Sequence, residues 1–160
     1  MSELFDHDPS IPHSAESKKL LEFDIGHATE AKIDGQPNQD TLLMKPRDGL
    51  YGVFDGVGGY GGGDQASQRA AELVSAAYRN RTHNLSPDIY LESEFLASLL
   101  DDVSRQITID MAEKGLDQAG TAAAVVKMLE LPHDETIAAI ATIGDCRVYV
   151  YDQYGRLKFQ

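Results

Sequence analysis

Asp55 ends an apolar run, Leu50-Tyr51-Gly52-Val53-Phe54, and six of the eight residues from Gly56 to Gly63 that follow it are glycine. A carboxylate at a strand end, beside backbone that can take positive φ and approach a ligand closely, suits a hard cation or a phosphate. As local structure alone, the same residues also describe a flexible turn between a strand and a helix. Asp40 opens a short apolar run and Asp145 sits in a turn between two others, and an isolated turn aspartate usually bonds its own backbone. Cys146 comes next; an adjacent carboxylate does not lower a thiol's pKa, so Cys146 is expected to pack as a small residue and not to act as a nucleophile. His27 could reach a metal or phosphate, although a histidine so placed is more often simply solvated or hydrogen-bonded.

The alternation of Leu21, Phe23 and Ile25 with Glu22, Asp24 and Gly26 predicts a strand over Leu20 to Thr29, and Lys32 to Asn38 is turn chemistry. Thr41 to Met44 reads as a second strand, joined through Pro46 to Gly49 to a third that ends at Asp55. A hairpin connection makes these two antiparallel, which brings Asp40 and Asp55 to one end of a sheet. Paired carboxylates there are costly unless a cation or a proton lies between them.

After the glycines, Asp64 reads as the N-cap of a helix over residues 64 to 79, with Ala66, Ala70, Leu73, Val74 and Ala77 on one face. Ala66 and Ala70 are small enough to let that helix lie close to a neighbour. A loop to Asp88 leads, with Ser86 or Asp88 as cap, into a helix whose stripe of Phe95, Leu96, Leu99, Leu100, Val103, Ile107 and Met111 ends near Gly115. Both stripes read as core. The period then changes to that of strands over Thr121 to Leu129, Thr136 to Ile143, Arg147 to Tyr151 and Arg156 to Phe159, expected as an antiparallel meander. Two helices between strand clusters predict an α+β arrangement.

A chain of 160 residues with 42% hydrophobic side chains can bury one core, and a net charge of −12 argues against nucleic acid or an anionic membrane as partner while permitting divalent cations. One cysteine excludes an intrachain disulfide framework and a cysteine-based zinc site, which fits a reducing, cytoplasmic setting. No apolar run approaches the length of a membrane span. Residues 1–19 mix Ser, Pro, His and acidic residues without periodicity and read as a flexible tail, leaving 20–160 as the domain.

Gly56, Gly58 and Gly61 spell a dinucleotide-binding pattern, but the acidic residue it requires about twenty positions on would fall among Arg79, Asn80 and Arg81, with no strand before it. A P-loop needs a lysine that is absent here. An oxidoreductase is accordingly a distant reading.

Four motifs in order resemble the PPM-type (type 2C) metal-dependent protein phosphatases: Asn38-Gln39-Asp40, the VFDGVGG run at 53 to 59, Gly120-Thr121-Ala122, and Ile143-Gly144-Asp145-Cys146-Arg147. The resemblance covers roughly residues 20 to 160 and implies a sandwich of two antiparallel β-sheets flanked by helices. It further implies that Asp55 bridges two Mn²⁺ or Mg²⁺ ions, that the Gly56 carbonyl binds one of them, that Asp40 holds metal-bound water, and that Asp145 approaches a further metal. The implied reaction is hydrolysis of phosphoserine or phosphothreonine in a phosphoprotein substrate. No phosphate-binding residue is assigned. Gln39 stands where many members carry a metal-binding glutamate, Val57 where some carry a histidine, and no arginine lies just before Asn38. Members continue well past the Gly-Asp turn to further metal-binding aspartates, so the domain is expected to be truncated and to need that later part for activity. The alternative is a non-catalytic pseudophosphatase or regulatory fragment that acts by binding a partner.

Overall fold

The computed structural model describes residues 25–30, 37–58, 61–81, 88–131 and 135–159. Strands β1 (Asp40–Lys45), β2 (Leu50–Val57), β3 (Gly120–Glu130) and β4 (Thr136–Ile143) form one antiparallel sheet in that spatial order. Helices α1 (Gly62–Asn80) and α2 (Ile89–Glu113) connect β2 to β3, and β5 (Val150–Tyr151) with β6 (Leu157–Phe159) makes a separate two-stranded sheet. The α+β arrangement with two antiparallel sheets is therefore present.

Alternation along β2 explains where the helices lie. Leu50, Gly52, Phe54 and Gly56 are buried, whereas Tyr51, Val53, Asp55 and Val57 face the other way and are half-buried or exposed. The helices cover the first face, where Phe54, Leu50, Val74, Leu96, Met111 and Val125 are buried in one cluster. Ala66 and Ala70 have no more than 1% exposure, the close approach their size permits. The stripe on α2 is core as expected, with Leu96, Leu100, Val103, Ile107 and Met111 buried.

Helix ends differ in how they are closed. Asp88 caps α2 by accepting from the Tyr90 and Leu91 amides at 2.9 and 3.2 Å. Its C-terminus turns at Gly115, φ 71°, and the Leu116 amide reaches back to the Met111 carbonyl. At α1 the expectation fails. The helix starts two residues before Asp64, its N-cap is Gly61 at φ 82°, and Asp64 stands inside the first turn. Glycine at 61 supplies the left-handed entry, and the acidic residue sits where the helix dipole favours it.

Two strand expectations also change. Residues 20–24 of the first expected strand lie outside the described residues, and 25–30 carry no ladder. The last third is not one meander: β4 pairs with β3, then the chain leaves the sheet at Gly144 and Asp145, and β5 pairs only with β6. Gly144 takes φ 80°, and a Cβ there would stand 2.7 Å from Ala122 Cβ, so the departing chain crosses tightly over β3. No helix among the described residues is long and apolar enough to cross a membrane.

Candidate metal and phosphate site

The hairpin register makes Asp40 and Asp55 direct partners across β1 and β2. Directly opposite residues share a face, so both carboxylates lie on the side of the sheet away from the helices. They line one groove of about 720 Å³, whose floor is apolar side chains including Leu42, Met44, Val53, Ala124 and Val126. His27, Cys146 and Arg147 line the same groove. Asp40 is half-buried and Asp55 exposed.

Backbone and side-chain bonds brace this end of the sheet. The Gly56 amide donates to the Gln39 carbonyl at 3.1 Å, and the Thr121 hydroxyl stands within donating distance of both the Ala122 carbonyl, at 2.8 Å, and the Asp55 carbonyl, at 3.0 Å. Ser67 Oγ, on α1, donates to the same Gln39 carbonyl at 2.7 Å and lies 2.9 Å from Thr41 Oγ1. A Cβ on Gly56 would collide with Gly63 O and stand 2.5 Å from Gln39 O. Glycine at 56 thus has a packing cause: strand and helix backbones touch there.

Gln39 does not present its amide to the groove. Its Nε2 donates to the Gly58 carbonyl at 2.9 Å, tying β1 to the loop before α1. Asp145 is exposed and does not line the groove. Burial pushes the Cys146 thiol above its ordinary value; the Asp55, Asp145 and Asp40 carboxylates act in the same direction, opposed by a hydrogen bond with the Asp55 backbone. A thiol held protonated is a poor nucleophile, consistent with a packing role.

Of the four residues singled out from sequence, Asp40 and Asp55 are brought together, Gly56 adjoins them on β2, and Asp145 lies outside the groove lining but next to Cys146, which is part of it. Among the described residues no three His, Cys, Asp or Glu side chains cluster closely enough to hold a metal ion between them. The facing pair does match the hard oxygen donors that Mg²⁺ and Mn²⁺ prefer, and an ion that keeps several waters needs only one or two carboxylates. Thr29, Ser67 and the bracing role of Thr121 were not evident from sequence. Ser67 alone left a signal, as a hydroxyl among the alanines of the buried face of α1.

A helix-covered antiparallel sheet with two carboxylates facing each other at one strand end makes an α+β domain with a candidate cation site. The sequence profile of the Protein phosphatase 2C family matches residues 28–158, and the chain belongs to that family. It is 29% identical over 115 residues to a serine/threonine phosphatase of Listeria innocua serovar 6a, an alignment covering 72% of this chain and 43% of that protein. The match thus spans less than half the length of that relative.

Proposed function

We propose that this domain serves metal-dependent hydrolysis of phosphoserine and phosphothreonine in proteins. The observation that carries the proposal is the opposition of Asp40 and Asp55 in one groove of a Protein phosphatase 2C domain. Asp55 and the Gly56 carbonyl would hold Mn²⁺ or Mg²⁺, Asp40 would hold the attacking water, and Asp145 would serve an additional ion. When bound, such ions lower the pKa of water and neutralise charge on phosphoryl oxygens. In the reaction the water oxygen bonds to phosphorus, the bond to the serine or threonine oxygen breaks, and a proton passes to that leaving oxygen. A second ion needs more anionic donors than the facing pair offers, so the two-metal form draws on residues outside this pair.

Hydrolysis of a phosphothreonine peptide, with and without Mn²⁺, by the 160-residue chain and its Asp55→Asn variant tests this. Manganese-dependent turnover that Asp55→Asn lacks, by this chain or by a longer chain that carries the same residues, is the expected result. Full turnover by Asp55→Asn would overturn the mechanism.

One observation favours a second reading, a non-catalytic domain that binds a partner. The Gln39 amide is engaged by the Gly58 carbonyl, where many members place a metal-binding glutamate. A folded chain that neither binds Mn²⁺ nor turns over the peptide, with a longer chain carrying the same residues equally silent, would move this reading to first place.

A further inference from the structure

Thr29, Asn38 and Asp40 close a ring of three hydrogen bonds. Thr29 Oγ1 donates to Asp40 Oδ2 at 2.7 Å, Asn38 Nδ2 donates to Thr29 Oγ1 at 2.8 Å, and the Asp40 amide donates to Asn38 Oδ1 at 3.0 Å. The directions are forced. An ionised carboxylate only accepts, so the single hydroxyl proton of Thr29 must go to Asp40. The Thr29 lone pairs then accept from Asn38 Nδ2, and the Asn38 oxygen is left for the Asp40 amide. Reversing any one bond breaks another.

The ring joins the extended segment 25–30 to the first residue of β1. It engages Oδ2 of Asp40, and no other side-chain hydrogen bond among the described residues reaches that carboxylate. Oδ1 is thereby left as the oxygen available to a cation or to water.

We propose that Thr29 is a positioning residue that acts through Asp40: gripped by Asn38, its hydroxyl fixes the Asp40 carboxylate in one rotamer and reserves Oδ1 for a divalent cation or its water. This rests on Asp40 and Asp55 serving a cation, as set out above. A hydroxyl that orients a ligand from behind changes metal affinity without touching the metal.

Calorimetric titration of the 160-residue chain with Mn²⁺ tests the role, using Thr29→Val, which keeps the shape and removes the hydroxyl, and Thr29→Ser, which restores it. Loss of an outer-shell partner should weaken Mn²⁺ binding by about tenfold or more in Thr29→Val, with Thr29→Ser within about twofold of wild type. Thr29 is exposed, so the melting temperatures of the metal-free proteins should agree. If Thr29→Val nevertheless melts early, Thr29→Ser decides: a folded serine variant with weakened binding overturns the role. Unchanged affinity in Thr29→Val overturns it too and leaves the cation site standing. A wild-type chain that binds no Mn²⁺ removes the site itself, and the inference falls with it.

Discussion

Ser67, fully buried on α1, donates its hydroxyl proton to the Gln39 carbonyl at 2.7 Å, one residue before Asp40. The helix that follows the glycine loop is thereby fastened to the strand that carries the first carboxylate. Ser67→Ala removes this donor while the Gly56 amide still serves the same carbonyl. The expected cost is about 1 kcal/mol, seen as a fall in melting temperature of roughly 2–4 °C. A thermal melt of the variant checks it, and an unchanged midpoint would show that the Gly56 bond suffices.

Gly56→Ala should be far more damaging. The new methyl would meet backbone atoms of Gly63 and Gln39, neither of which can swing aside as a side chain does. Overpacking of this kind costs about 3 kcal/mol or more. Gly26→Ala is the control, since nothing stands within 4 Å of a Cβ there, and it should stay within about 0.5 kcal/mol of wild type. Urea unfolding of the two variants separates the alternatives: equal midpoints would mean the contact at Gly56 relaxes.

How far the sequence discloses this arrangement depends on the range of the interaction. The hairpin between β1 and β2 is local, so turn residues and alternation place Asp40 opposite Asp55 from sequence. The helical stripes are likewise periodic and legible. What escapes is set by contacts distant in sequence or by single backbone angles. Asp64 is displaced from the cap because Gly61 enters α1 at positive φ. The departure at Gly144 is fixed by its approach to Ala122, which no periodicity encodes. Thr29 and Asn38 acquire meaning only when an irregular segment folds back on β1.

The two helices share a polar lock inside their apolar contact. Tyr78 Oη donates to Glu92 Oε1 at 2.6 Å, and Arg81 donates to Glu92 Oε2 at 2.6 Å while its guanidinium lies 4.1 Å from the Phe95 ring centre. Burial, and next the bond to Glu92, raise the Tyr78 phenol well above its ordinary value. A group whose pKa is raised on folding contributes stability in full below its unfolded pKa, about 10, and that contribution is lost as pH rises beyond it. Ultraviolet titration should find a late step, a phenol that stays protonated well above a pH of about 10 until the chain unfolds. Tyr78→Phe should abolish that late step and cost about 1.5–3 kcal/mol, the range for a hydrogen bond to a charged group. A late step that persists in the variant would assign it to another tyrosine.

The facing carboxylates set stability against cation binding. Like charges directly opposite on adjacent strands repel, so without metal Asp55→Asn should raise stability by about 0.2–1 kcal/mol. With Mn²⁺ the order should reverse. A ligand that binds only the folded chain adds about 2.7 kcal/mol at one hundred times its dissociation constant, a gain that wild type makes and the variant largely forfeits. Paired melts with and without Mn²⁺ read both terms. A variant that melts below wild type in the absence of metal would mean that Asp55 serves the fold more than it strains it, and an equal gain from Mn²⁺ in both proteins would place the bound ion elsewhere.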